Sequence, residues 1–371
     1  MKHSTICCVV GARPNFVKIA PLMHALRSFS EIKTELVHTG QHYDHSLSAS
    51  FFRELNIPEP DRHLNVGSGS HGKQTALIIE RFEQVCFQQR YDWIVVVGDV
   101  NSTMACALVG AKLKIPVAHV EAGLRSFDRT MPEEINRIVT DAICDCHFVS
   151  EPSGVENLKI EGVPEYKIHL VGNIMIDTLV KQLNQIKPEM TLQTFNLEPR
   201  SYGLVTLHRP SNVDHPDTLR NLLLTLNNIS RQIPVMFPVH PRTRITIDQL
   251  IDSGELTLNA SFAMTEPLTY NHFLALMANA RIVFTDSGGM QEETTYLNVP
   301  CLTFRENTER PITVQKGTST LVGSNPDTIL SVFNTIMNGQ YKTSEPIDLW
   351  DGCTGRRIAK ILAEKCRSES F

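Results

Sequence analysis

The chain has 371 residues, 42% of them hydrophobic, and its 35 lysines and arginines against 40 aspartates and glutamates give a formal charge of −5. At roughly 100–200 residues per domain, this length favours two domains, each able to bury its own core. The composition excludes disorder, collagen and mini-protein scaffolds. Free nucleic-acid binding is disfavoured, because a mildly acidic chain without a run of like charges lacks the basic surface that phosphate backbones require.

The first residues run directly into a short apolar segment, Thr5–Val10. This segment is too short for a signal peptide, and no apolar stretch reaches the roughly 18 residues of a membrane span, so we predict a cytoplasmic protein without a membrane partner. The nine cysteines are an odd number and lie mostly in apolar segments, where a thiol behaves as a small hydrophobic group. The close pair Cys144 and Cys146 lacks a matching second pair, so we predict no metal site.

Short β-branched runs alternate with amphipathic stretches along the whole chain, which predicts a parallel α/β architecture. The amphipathic stretches between the runs predict crossover helices. In the first half, the predicted strands are Thr5–Val10, Glu35–His38, Trp93–Val97, Val117–Val120 and His147–Val149.

The alternation pauses between Gly172 and Arg200 and then restarts, which predicts a domain joint near Gly172. We therefore expect an N-terminal domain over residues 1–172, a C-terminal domain over 173–353, and a last helix over 354–371 that packs back on the N-terminal domain. In the second half, the predicted strands are Tyr202–Thr206, Val235–Pro238, Phe262–Met264, Ile282–Thr285 and Pro300–Phe304.

A candidate anion site follows one of these strands, because ligands bind beyond the carboxyl ends of strands in open parallel sheets. The residues Ser287, Gly288 and Gly289 predict a tight turn and a helix start, whose N–H groups and dipole would attract a phosphate. A plain capped helix with glycine in its turn would have the same pattern. The dinucleotide motif GxGxxG is absent from both halves, so we predict no dinucleotide cofactor.

Charged residues near the predicted turns would complete a nucleotide site. Arg13 with Lys18, and Arg310 in the second half, would neutralise a diphosphate, although Lys18 alone also fits a solvated helix face. Glu293 lies one turn beyond Gly289, where a carboxylate would accept hydrogen bonds from the ribose hydroxyls.

Two acidic residues, Asp99 and Glu121, end apolar strands, where burial without a purpose would be costly. Burial and neighbouring carboxylates raise the pKa of an acid toward neutrality, so these residues predict proton transfer. Glu133 is ambiguous, because an acidic residue after Pro132 also stabilises the first turn of a helix. His208, at a strand end, fits a ligand contact and a structural role equally well.

Ten motifs in order resemble those of the non-hydrolysing UDP-N-acetylglucosamine 2-epimerases, a family built on the GT-B fold. The resemblance covers nearly the whole chain and implies two Rossmann-like parallel-sheet domains facing a central cleft, and a homodimer. The motifs are GARPNFVKIAPL at 11–22, TGQH at 39–42, VGDVNST at 97–103, HVEAGLR at 119–125, PEEINR at 132–137, VGN at 171–173, LHR at 207–209, PVHPRT at 238–243, TDSGGMQEE at 285–293 and TERP at 308–311.

The resemblance implies a reaction and the residues that perform it. A base removes the proton on the sugar carbon that bears the acetamido group while UDP leaves, and the bound glycal is then reprotonated from the other face as UDP returns. This chemistry requires no cofactor and no metal. The implied catalytic residues are Asp99, Glu121, Glu133 and His208, with Arg13 and Lys18 beside them. The implied UDP contacts are Phe273 near the base, Ser287, Gly288 and Gly289 at the phosphates, Glu293 at the ribose, and Arg310.

The resemblance also implies an activator site, at which some family members bind a second substrate molecule. Gln41, His42, Arg209 and His240 match it, whereas Asp44 departs from the family pattern. Four alternative functions stay open at this point. They are the same reaction on a modified UDP-acetamido sugar, a hydrolysing epimerase, a GT-B glycosyltransferase, and a regulator that only binds a nucleotide sugar.

Overall fold

The computed structural model describes residues 3–41 and 52–368, which fold into two compact units. The first unit extends to Lys181 and resumes at Asp348, and the second is Gln182–Ile347. The sequence pattern predicts these boundaries after residues 172 and 353. The observed boundary at Lys181 falls inside the helix Ile174–Leu183, whose periodicity carries no signal of a change of unit.

The first unit contains a seven-stranded parallel sheet in the order β3-β2-β1-β4-β5-β6-β7. The prediction of a parallel sheet is confirmed, but it missed β3 and β7, which are short edge strands without a fully buried residue. The strands are β1 Ser4–Val10, β2 Ile32–His38, β3 Arg62–His63, β4 Trp93–Val97, β5 Val117–Ala122, β6 Cys146–Val149 and β7 Ile168–Leu170.

The second unit contains a six-stranded parallel sheet in the order β10-β9-β8-β11-β12-β13. Five of its strands were predicted, and the sixth, β13, was missed because its Ser-Thr-Leu sequence lacks an apolar run. The strands are β8 Gly203–Thr206, β9 Val235–Pro238, β10 Phe262–Thr265, β11 Ile282–Thr285, β12 Cys301–Thr303 and β13 Ser319–Leu321.

Helices connect the strands in both units, and many begin with proline in the first turn, where its fixed φ suits a helix start. In the described part of the chain, none of them is long and apolar enough to cross a bilayer. The helices are Arg13–Leu26, His71–Gln88, Asn101–Lys112, Pro132–Ile143, Pro152–Ile160, Ile174–Leu183, Pro188–Thr194, Pro210–Val213, Pro216–Ile229, Pro241–Asp252, Tyr270–Asn279, Gly288–Tyr296, Pro311–Gln315, Pro326–Met337 and Thr354–Ser368, with a 3₁₀ turn at Glu165–Lys167.

The first helix, Arg13–Leu26, contains Pro21 in its interior. Proline has no N–H, so the carbonyl of Val17, four residues earlier, loses its helical hydrogen bond. The hydroxyl of Thr178 donates to that carbonyl at 2.6 Å, in a buried position. A neighbouring helix therefore replaces the bond that the proline removes.

The last helix, Thr354–Ser368, packs against the first helix of the same unit. A Cβ at Gly355 would lie 2.9 Å from the carbonyl oxygen of Pro21, so only glycine allows this approach. The carboxylate of Asp177 accepts the N–H groups of Thr354 at 3.0 Å and of Gly355 at 2.7 Å. These bonds satisfy the start of the last helix.

We predict that Thr178→Val lowers the free energy of unfolding by about 1–3 kcal/mol, because the buried carbonyl of Val17 then has no donor. Urea unfolding measures the difference. Thr178→Ser should keep most of the stability, and Thr194→Val, which removes an exposed hydroxyl bonded to the carbonyl of Met190, should change it little. A Thr178→Val variant as stable as the wild type would contradict this account.

Candidate active-site residues

The two predicted acidic residues of the first unit lie at the ends of neighbouring strands. Asp99 follows β4, and Glu121 lies at the end of β5, where the pairing with β6 shifts register. Glu121 is 7% exposed and has a φ of 74°, which is rare for a residue other than glycine. The backbone is therefore strained at this carboxylate, as is common at functional sites.

Lys18 forms a buried ion pair with Glu121. Because Lys18 is only 5% exposed, it does not lie on a solvated helix face. A Cβ at Gly98 would lie 3.0 Å from the Lys18 amine and 3.5 Å from a carboxylate oxygen of Glu121, and Gly98 has a φ of 68°. Both the space and the conformation therefore require glycine between the two strand ends.

Asp99 pairs with Arg137, a buried residue of the helix Pro132–Ile143, at 2.5 Å. Arg137 also contacts Glu134 at 2.6 Å. Glu134 accepts the N–H groups of Ser126 at 3.0 Å and Phe127 at 2.9 Å. Burial opposes ionisation of Glu134, but these hydrogen bonds and Arg137 hold its pKa below the usual value. Neither Arg137 nor Glu134 was singled out from the sequence.

Glu133 differs from its neighbour Glu134. It lies in the first turn of the same helix and is half-buried, whereas Glu134 is 1% exposed. Within the part of the chain that the structure describes, Glu133 has no ion-pair partner. The carboxylate of Glu133 is therefore available to a ligand, whereas that of Glu134 is occupied by Arg137 and by the N–H groups of Ser126 and Phe127.

A buried network lies behind the two strand ends. His119 contacts the carboxylate of Asp141 at 2.6 Å with one ring nitrogen and the carbonyl of Gly98 at 2.8 Å with the other. Asp141 also accepts the N–H of Gly123 at 3.0 Å. Burial raises the pKa of Asp141, but His119 and Arg125 outweigh it and lower the pKa to about 2. The network thereby fixes the backbone beside Asp99 and beyond Glu121.

The predicted activator residues are divided between the two units. The side-chain oxygen of Gln41 accepts the N–H of Ser102 at 3.1 Å, so this buried amide already has a partner in the first unit. His42 and the side chain of Arg13 lie outside the described residues. His240 starts the helix Pro241–Asp252 of the second unit, where its ring accepts the N–H of Arg242.

In the second unit, Asp286 follows β11 and is fully buried. Its carboxylate accepts the N–H groups of His208 and Arg209 and lies 2.8 Å from Nδ1 of His208. Burial raises the pKa of Asp286, but the contacts with His208, Arg209 and Asn212 together lower it more, so the net shift is downward. Because Nδ1 of His208 pairs with the carboxylate, Nε2 of this exposed ring is the nitrogen available to a ligand.

The helix Gly288–Tyr296 begins within the predicted turn at residues 287–289. Ser287 is its N-cap, and the side chain of Ser287 forms no capping bond. The first N–H groups of the helix are thus available to an anion. A Cβ at Gly288 would lie 2.5 Å from Nη1 of Arg310. Arg310 in turn pairs with Glu309 at 2.6 Å and with Glu292 at 2.8 Å. Two buried glutamates therefore hold the guanidinium beside the turn.

Glu293 is fully buried, and one of its oxygens accepts the hydroxyl of Tyr270 at 2.7 Å. Its other oxygen has no partner among the described residues. Burial, together with neighbouring Glu292, raises the pKa of Glu293 to about 7. Phe273 is half-buried and lies one turn beyond Tyr270 on the helix Tyr270–Asn279.

Comparison with known proteins shows the family to which the chain belongs. A model of the UDP-N-acetylglucosamine 2-epimerase family matches residues 24–363. The UDP-N-acetylglucosamine 2-epimerase of Methanocaldococcus jannaschii is 40% identical over 359 residues, which cover 95% of this chain and 97% of that relative. The UDP-2,3-diacetamido-2,3-dideoxy-D-glucuronate 2-epimerase of Pseudomonas aeruginosa is 36% identical over 362 residues, which cover 97% of this chain and 99% of that relative.

Solved structures agree as well. A crystal structure of the M. jannaschii UDP-GlcNAc 2-epimerase in complex with UDP-GlcNAc and UDP matches with a TM-score of 0.89 at 40% identity, covering 97% of this chain and 99% of that chain. The two parallel sheets and this structural match place the chain in the GT-B-like class of epimerases. More specifically, the chain belongs to the UDP-N-acetylglucosamine 2-epimerase family, and the resemblance found from the motifs is confirmed.

We predict that Glu293 makes stability depend on pH. Its raised pKa means that the folded chain keeps a proton that the unfolded chain loses above about pH 4.5. Stability should therefore fall as the pH rises from about 4.5 to about 7, by up to about 3 kcal/mol. Glu293→Gln removes this titration while keeping an acceptor for Tyr270.

Urea unfolding of the wild type and of Glu293→Gln at about pH 5 and about pH 8 tests this prediction. The variant should gain stability relative to the wild type at the higher pH. The exposed Glu198→Gln is the matched control and should show no such gain. If the free energies of unfolding of the wild type and of Glu293→Gln differ by the same amount at both pH values, the raised pKa of Glu293 is contradicted.

Proposed function

We propose that the protein interconverts UDP-N-acetylglucosamine and UDP-N-acetylmannosamine without releasing free sugar. The observation that carries this proposal is the set of strand-end carboxylates in a chain of the 2-epimerase family. The M. jannaschii relative, a UDP-N-acetylglucosamine 2-epimerase, supports the substrate, and so does its crystal structure in complex with UDP-GlcNAc and UDP.

The first unit would supply the proton transfers. In the first step, a carboxylate takes the proton from the carbon that bears the acetamido group, and the electron pair of that C–H bond forms a double bond to the anomeric carbon. The bond from the anomeric carbon to UDP breaks, and the oxygen keeps its electrons. The three carboxylates have different surroundings, because Asp99 and Glu121 each lie beside a cation and Glu133, among the described residues, does not. Such a difference suits a reaction that needs both a base and an acid.

The second unit would hold UDP while it is detached from the sugar. The N–H groups at residues 287–289 would bind the diphosphate, with Arg310 beside them. His208, oriented by Asp286, would stabilise the leaving diphosphate. The unpaired oxygen of Glu293 would accept a ribose hydroxyl, and Phe273 would lie near the base. Reprotonation from the opposite face and return of UDP complete the inversion.

A second candidate substrate is a modified UDP-acetamido sugar. The P. aeruginosa relative supports it, because it bears the name of a diacetamido glucuronate epimerase at 36% identity. The reacting carbon and the leaving group would be the same in both cases. We further propose, on the resemblance of the motifs, that the enzyme is a cytoplasmic homodimer that serves polysaccharide biosynthesis, and that a second substrate molecule activates it.

We predict that incubation with UDP-N-acetylglucosamine in heavy water yields the manno epimer still attached to UDP, with deuterium at the inverted carbon, as followed by NMR. Asp99→Asn and Glu121→Gln should lower turnover by about 10²-fold or more, because proton transfer by a positioned group contributes that much. Their affinity for UDP, measured by calorimetry, should stay close to that of the wild type.

The exposed Asp252→Asn provides the matched control and should turn over normally. Free sugar as the product would favour a hydrolysing enzyme instead. If UDP-N-acetylglucosamine is inert while a UDP-diacetamido uronate reacts, the second candidate substrate is correct. Full activity of both acid variants would show that the assignment of Asp99 and Glu121 is wrong.

A further inference from the structure

An exposed aromatic residue, Phe127, lies in the loop between Glu121 and the helix Pro132–Ile143. Its side chain is 78% exposed, and its φ is 58°. A bulky residue at positive φ is a conformational outlier that costs folding free energy. Because the ring is exposed, packing within the fold does not compensate this cost. Glycine or asparagine would suit the backbone better, so the phenyl group has a reason to be here other than stability.

The loop is anchored to the same buried cation as Asp99. Glu134 accepts the N–H of Phe127 at 2.9 Å and pairs with Arg137 at 2.6 Å. Arg137 contacts the carboxylate of Asp99 at 2.5 Å and the hydroxyl of Ser126 at 3.3 Å. The backbone of Phe127 is therefore linked through Glu134 and Arg137 to Asp99, a proposed catalytic acid.

We propose that the ring of Phe127 packs against the N-acetylhexosamine part of the substrate and contributes to the choice of sugar. The side chains that contact Asp99 and Arg137 are charged or polar, so they offer no apolar surface to the C–H face of a hexose or to the acetamido methyl group. An aromatic ring offers such groups a flat apolar surface at little cost in conformational entropy. This inference rests on the proposed function, because it assumes an acetamido sugar beside Asp99.

The test uses two properties that should change in opposite directions. Phe127→Gly relieves the positive φ, so the melting temperature should rise by about 2 °C. The same variant loses the ring, so the KM for UDP-N-acetylglucosamine should rise roughly tenfold. The Kd for UDP alone, measured by calorimetry, should not change, because UDP lacks the hexose. Phe127→Tyr keeps a ring and should keep the KM of the wild type.

Lys114→Gly is the matched control, because Lys114 is also exposed and has a φ of 57°. It should raise the melting temperature without changing KM. A Phe127→Gly variant that melts below the wild type would show that the ring packs within the fold. A stabilised variant with an unchanged KM would show that the ring does not touch the sugar. Either result overturns the proposal.

The design also separates this inference from the proposed function. If the wild type does not convert UDP-N-acetylglucosamine, the proposed function fails, and the ratio of the Kd for UDP-N-acetylglucosamine to the Kd for UDP replaces KM. Phe127→Gly should then raise this ratio roughly tenfold, because it weakens the binding of UDP-N-acetylglucosamine and leaves that of UDP unchanged. A ratio that is equal in the wild type and in Phe127→Gly would overturn the role of Phe127 even if the enzyme is an active epimerase.

Discussion

The two strand-end carboxylates of the first unit, Asp99 and Glu121, each pair with a buried cation, and each cation lies on a helix. Lys18 comes from the helix Arg13–Leu26 and pairs with Glu121, and Arg137 comes from the helix Pro132–Ile143 and pairs with Asp99. Breaking a buried pair by removing one partner costs about 3–5 kcal/mol, because the other charge stays buried. This cost applies to Lys18 and Glu121, which are both buried, so Glu121 can occupy its position only because the helix holds Lys18 there. The side chain of Asp99 is 26% exposed, so its carboxylate is partly solvated beside the buried Arg137.

The ion pairs act together with a strained backbone. Glu121 has a positive φ, and so does Gly98 at the end of the next strand. Such conformations persist where the surroundings over-determine them. His119 and Asp141 provide this constraint, because their hydrogen bonds hold the carbonyl of Gly98 and the N–H of Gly123. The hydrogen bonds of this buried polar network thus offset the free-energy cost of the strained backbone.

The sequence predicted the central strands, because their apolar runs are buried on both faces, and it missed the short polar edge strands. It also predicted that Asp99 and Glu121 lie at strand ends, because a carboxylate after an apolar run is conspicuous, while their catalytic role stays a prediction. The sequence did not point to Arg137, because the helix Pro132–Ile143 reverses the usual arrangement of buried apolar and exposed polar residues. Its polar residues, such as Glu134, are buried, whereas its apolar Ile135 is only half-buried. Apolar periodicity assumes the opposite arrangement.

The most direct test of the central claim is the rate at which solvent deuterium enters the sugar of UDP-N-acetylglucosamine when Arg137 is replaced. Arg137→Met removes the cation beside Asp99, and the rate should fall by about 10²-fold or more while the affinity for UDP is retained. Arg137→Lys keeps a cation and should recover part of the rate. Deuterium incorporation by Arg137→Met at the rate of the wild type would contradict the claim that the ion pair with the buried Arg137 holds Asp99 in its active position.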